Sequence, residues 1–254
     1  MPICFCCLGD SITSDQVTGI GTVVGRKLAA EHLLNAACGY ATCTDWHDGD
    51  VNITPLTLVE PPDTNTADNV LSNQVRRVLQ AITPAGQRVR WTVDGVEYAL
   101  DPAVGLGTGA IPQPDVIYIA ISTNDGNQPF NTVRDDFADV ARQSYAALTR
   151  NSLASALCWA IRTLHAACPR ARIFAATPLQ TCTDLTWMSH ESGLLKRRLV
   201  MDVCRLCGVE CIDSFMESGF DAAVARDHGG VHPDAEWKER IACYVAGQIA
   251  TRLG

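Results

Sequence analysis

Three short stretches carry residue types suited to acyl transfer. They are Gly9-Asp10-Ser11-Ile12-Thr13, Ser122-Thr123-Asn124-Asp125-Gly126 and Asp227-His228-Gly229-Gly230-Val231-His232-Pro233-Asp234. A serine hydroxyl becomes a nucleophile when a nearby base takes its proton, and His232 is the candidate base. Ser11 follows an apolar run and stands near a helix start, where free backbone N–H groups and the helix dipole favour developing negative charge. Asn124 can offer a side-chain N–H to an oxyanion. Taken singly, the three read equally well as a helix cap, an Asx turn and a helix-entry turn. Their concurrence at strand ends is what favours chemistry.

The elements that would position them alternate along the chain. Ile3 to Leu8, Asp115 to Ser122, Ala171 to Ala176 and Val209 to Asp213 read as strands, and a further short strand is expected near Ala36 to Thr42. The 115–122 run is apolar at nearly every position, as a central parallel strand should be. Helical spacing covers Thr22 to Leu34, Val70 to Ile82, Ser152 to Ala167, Leu194 to Leu206 and Asp234 to Leu253. Arg88 to Leu100 reads as a β-hairpin turning on Asp94-Gly95. Residues 45–69 are polar and proline-bearing, an unusually long loop. Strands alternating with helices predict a mostly parallel sheet covered on both faces, and ligands then bind beyond the carboxyl ends of its strands. The expectation is one domain over residues 1–254, with a hairpin insertion at about 88–101.

Gly9-Asp10-Ser11-Ile12-Thr13, Thr123-Asn124-Asp125 and Val231-His232-Pro233 resemble the signature stretches of the SGNH hydrolases, also called the GDSL esterase/lipase family. The resemblance runs from residue 9 to residue 233. It implies a flavodoxin-like three-layer α/β/α sandwich and hydrolysis of esters, thioesters or carbohydrate acetyl groups without a metal. Ser11 would be the nucleophile and His232 the general base. The oxyanion donors would be the Ser11 backbone N–H, a backbone N–H from the second stretch and the Asn124 side chain. Two positions depart from the family pattern. At the second stretch Gly39 and Tyr40 compete for the donor role. The family's Asp, three residues before the histidine, is Gly229 here. Asp227, five residues before His232, is the nearest substitute; the alternative is a Ser–His dyad whose imidazole is oriented by a backbone carbonyl. The family more often has glycine where Ser122 stands.

Composition bounds the alternatives. The chain has 254 residues, 47% hydrophobic and 19% charged, with a formal net charge of -8, which argues against a nucleic-acid or anionic-membrane surface. No run approaches the ~20 apolar residues of a membrane helix. Twelve cysteines form no small secreted framework. Cys204-x-x-Cys207 with Cys211 lacks a partner pair for zinc, so free thiols are expected, and a cytoplasmic location or one reached after loss of a leader. Gly19-x-Gly21-x-x-x-Gly25 has the wrong spacing for a dinucleotide fingerprint, and no Gly-x-Ser-x-Gly elbow occurs. Arg76-Arg77 and Lys196-Arg197-Arg198 read as solvated helix faces. No cofactor is expected, and the expected partner is a small-molecule or glycan ester. Residues 45–69 and 126–150 are expected to line the mouth; their polarity favours small or polar acyl groups. Two rivals are a catalytically impaired binding module on the same fold and a metal-assisted hydrolase using His228 and His232, with His47, Asp48 and Asp50 as further candidate ligands.

Overall fold

The structure is a computed structural model describing residues 2–45, 70–100, 105–127 and 133–254. Five strands, β1 (Ile3–Gly9), β2 (Ala30–Asn35), β5 (Val116–Ala120), β6 (Arg172–Ala176) and β7 (Glu210–Ile212), form a sheet in the order β2-β1-β5-β6-β7. Every neighbouring pair is parallel. Counting only these strands, the order is the 2-1-3-4-5 of flavodoxin-like sheets, and it reverses direction between β1 and β5. The expected three-layer α/β/α sandwich is therefore the observed fold.

Strand alternation sorts the core onto two faces. Cys6, Leu8, Ile117, Ile119, Ile173 and Ala175 point to one face, against α3 (Leu71–Ile82), α5 (Leu153–Ala167) and α6 (His190–Cys207). Phe5, Cys7, Val116, Tyr118, Phe174 and Ala176 point to the other, against α2 (Ile20–Lys27) and α9 (Ala235–Leu253). β1 is buried on both faces, so its three cysteines serve as small apolar side chains. The hairpin forms where expected, from β3 (Arg90–Val93) and β4 (Val96–Ala99). Asp94 and Gly95 both adopt positive φ, 53° and 78°, as a type I′ turn requires. Trp91 ties the hairpin to α5 by donating Nε1–H to the Tyr145 hydroxyl (2.9 Å), which also pairs with Thr163 (2.7 Å).

Two element predictions need correction. The helix expected over 22–34 stops at Lys27: Ala29 turns left-handed at φ 53°, and residues 30–35 become β2. His32 and Leu28 match a helical face, but Glu31 and His32 belong to an exposed edge strand, whose one-sided burial mimics that period. The strand expected at 36–42 is accordingly a loop, with only a bridge from Thr42 to Val70. Helix α6 begins four residues before the expected Leu194, because Ser189 caps it by accepting from Ser192 N–H (3.2 Å). Short helices α1 (Ser11–Ser14), α4 (Phe137–Val140), α7 (Ser214–Glu217) and α8 (Ala222–Asp227) complete the description. Most of the long loop expected over 45–69 lies outside the described residues. Among the described residues, no helix is long and apolar enough to cross a membrane.

Candidate active site

β1 and β5 deliver two of the three loaded stretches to the point where strand order reverses. Gly9 ends β1 in a space no side chain can share: a Cβ there would lie 2.4 Å from the Ala120 carbonyl. Gln74 of α3 grips the same residue from above, with Oε1 accepting from Gly9 N–H (2.7 Å) and Nε2 donating to its carbonyl (2.8 Å). Asp10 follows, 2% exposed, and its carboxylate caps α1 by accepting from Ile12 N–H (3.1 Å). Burial raises the Asp10 pKa, while hydrogen bonds from Thr123 and Ile12 and the nearby His232 pull it back. Ser11 is thereby fixed as the first residue of α1, with its backbone N–H at a helix start.

The β5 end is bound to the loop that follows β2. Asp125, fully buried, accepts from the N–H groups of Cys43 (2.8 Å) and Thr44 (3.1 Å). Asn124 is 7% exposed and donates one Nδ2–H to the Ala41 carbonyl (3.0 Å). Its amide has a second N–H to give. The same loop is anchored to β1 through Cys38 N–H and the Gly9 carbonyl (3.1 Å). Within it Tyr40 takes φ 58°, whereas Gly39 does not take positive φ. Non-glycine residues in that region cost energy and cluster at working sites. Ser122 is a second such residue, at φ 126° and fully buried, with its hydroxyl unpaired.

His232 arrives from the opposite end of the chain. Its Nε2 lies 2.8 Å from Ser11 Oγ, across 221 residues of sequence. The loop that carries it is braced at both ends: Asp234 caps α9 by accepting from Trp237 N–H (3.0 Å), and its other oxygen pairs with His228 Nδ1 (2.8 Å). Gly229 takes φ 107°, and a Cβ on it would sit 2.1 Å from the His232 carbonyl oxygen. No aspartate can occupy that position on this backbone.

The structure thus brings Ser11 and His232 together and sets Asn124 and the Gly39–Tyr40 turn on loops hydrogen-bonded to the Ser11 strand. It does not bring Asp227 to His232. Asp227 is exposed at the end of α8, and no hydrogen bond joins the two among the described residues. The physical reason is that helix α8 holds Asp227 to its own axis before Gly229 turns the chain. His228 and His232 do not share a ligand position either, since one ring nitrogen faces Asp234 and the other faces Ser11. Among the described residues, no three His, Cys, Asp or Glu side chains are placed to hold a metal ion. His47, Asp48 and Asp50 lie outside the described residues.

The solvated-face reading of Arg76 and Lys196 fails, at 3% and 2% exposure. Lys196 donates Nζ–H to the carbonyls of Thr123 (3.0 Å) and Trp187 (2.7 Å). The signal was present in the sequence: Lys196, Leu199, Val200 and Val203 recur at helical spacing, so Lys196 shares the buried stripe.

The fold is one shared by solved lipases, acylhydrolases and carbohydrate esterases. Solved structures bear out the fold. A lipase/acylhydrolase from Enterococcus faecalis superposes with a TM-score of 0.52 at 14% identity, over 98% of this chain and 97% of that one. Est24, a carbohydrate acetylesterase from Sinorhizobium meliloti, gives 0.53 at 14% identity, covering 98% and 99%. A family 2 carbohydrate esterase from Corynascus thermopiles (Myceliophthora fergusii), which also carries a carbohydrate binding domain, gives 0.58 at 17% identity, covering 98% of this chain and 66% of that one. Neither the family models nor the curated proteins match the sequence.

Proposed function

We propose that this protein is a metal-independent serine esterase that forms an acyl-enzyme on Ser11. The observation that carries the reading is the 2.8 Å contact between Ser11 Oγ and His232 Nε2 at the strand-order reversal. His232 takes the hydroxyl proton as Ser11 attacks the ester carbonyl, then gives it to the departing alcohol. The oxyanion is met by the Ser11 N–H, by the free N–H of the Asn124 amide and by a backbone N–H of the Gly39–Tyr40 turn. Water activated by the same imidazole releases the acyl group. Since Asp227 lies away from His232, the site works as a Ser–His dyad. The names of the structural neighbours favour an ester on a carbohydrate, with a small acyl group such as acetyl, over a long lipid chain.

A fluorophosphonate probe followed by peptide mapping tests the reading directly. The expected result is one label on the Ser11 peptide, with hydrolysis of p-nitrophenyl acetate lost in step. Ser11→Ala should abolish both, leaving at most the ~10³–10⁴-fold residual acceleration of binding and oxyanion contacts. An unlabelled wild type that nevertheless binds acetylated oligosaccharide would make the fold a binding module. Full activity in Ser11→Ala refutes the nucleophile.

A further inference from the structure

Lys196 is a charge the proposed mechanism does not use, yet it sits directly behind the oxyanion loop. Its Nζ–H groups go to two carbonyls, Thr123 and Trp187. The Thr123 carbonyl and the Asn124 N–H belong to one planar peptide unit, so a grip on that oxygen sets the plane from which the Asn124 side chain departs. The other side of Thr123 lies by the Asp10 carboxylate, one residue before Ser11, and favours its ionised form. A cavity of about 20 Å³ is lined by Lys196 together with Thr123, Gln180, Ser189 and His190. Burying an ammonium is expensive unless it is paired and hydrogen-bonded.

We propose that Lys196 is a positioning residue of the esterase site: its buried ammonium fixes the Thr123–Asn124 peptide so that the Asn124 amide meets the oxyanion. The inference rests on the esterase reading.

The charged groups acting on Lys196 are Asp125, after β5, and Asp10, after β1; both favour its protonated form, while burial disfavours it more strongly. His190, in the first turn of α6, lines the same cavity. Arg197, the next residue, is engaged by Asp213. The net result is a lysine whose pKa falls to about 8 from the usual 10.5. The native protein then loses this proton before the unfolded chain does. Between those two values the unfolded state binds more protons, so this group adds stability as pH rises. An alkaline fall in turnover from this cause is therefore opposite in sign to its effect on folding.

The test is the pH dependence of kcat for p-nitrophenyl acetate in the wild type, Lys196→Met and Lys196→Gln, with thermal melting alongside. Expected are a wild-type kcat that declines with a midpoint near 8 while the fold holds, and a Lys196→Met kcat lowered ~10–100-fold with KM little changed and no such limb. Lys196→Gln, which keeps a donor without the charge, should fall between them. Because Lys196 acts through Asn124, adding Lys196→Met to Asn124→Ala should cost less than about threefold more. A wild-type kcat that stays level to about pH 10 overturns the proposal even if neither variant folds. So does a Lys196→Met enzyme that keeps the limb, or a double variant whose losses multiply. A wild type that neither hydrolyses ester nor takes the fluorophosphonate refutes the esterase reading instead.

Discussion

Ser122 is the sharpest single-residue signal in the loop that follows β5. It holds φ 126° with a buried, unpaired hydroxyl, at a position where the resembling family more often has glycine. Backbone strain of this kind costs about 1–3 kcal/mol, and an orphaned buried hydroxyl adds to it. Glycine would relieve both and return less than about 1 kcal/mol through the greater freedom of its unfolded chain. Ser122→Gly should therefore raise the urea midpoint, by about 1–3 kcal/mol of stability, with kcat within about twofold of wild type. A lowered midpoint would mean that the hydroxyl does something for the fold. At this scale the sequence singled out Ser11, Asn124 and His232, because their types and strand-end placement are chemically restrictive, and Ser11 and His232 do meet in the structure. It hid Gln74, whose role depends on which face of a helix is covered, and showed Lys196 only through the apolar stripe it shares with Leu199, Val200 and Val203.

The segment from α8 through the Gly229–Gly230 turn to α9 decides what orients the imidazole. α8 keeps Asp227 at its exposed end, and the backbone at Gly229 excludes any side chain where the family's acid would stand. Asp227→Asn should accordingly cost less than about tenfold in kcat, near 1.4 kcal/mol, rather than the ~10⁴ of a lost triad carboxylate. Gly229→Asp should lower both stability and turnover, because its Cβ would displace the His232 carbonyl. A gain in kcat from Gly229→Asp, or a thousandfold loss from Asp227→Asn, would restore the triad. Other elements were legible for clear reasons. The Asp94-Gly95 hairpin and the doubly buried β5 carry local signals strong enough to stand alone. β2 did not, since an edge strand half exposed to water alternates no more cleanly than a short helix.

Across the whole molecule, the parallel order of the sheet forces the two ends of the chain together: α9 packs on α2, with Lys27 and Glu239 paired at 2.5 Å across them. The Ser11–His232 contact closes only when this last helix docks. On refolding from urea, fluorophosphonate labelling should return no sooner than hydrogen-exchange protection across α9. Labelling that precedes protection would show the pair forming without the helix. The same separation of 221 residues bears on biosynthesis. Chains grow from the N-terminus at about 5–20 residues per second, so Ser11 is synthesised roughly 10–45 s before His232. A nascent chain with β1 and α1 already formed carries a serine without a proton acceptor. On the esterase reading, the unfinished protein stays silent towards esters until the final helix has been made and has docked.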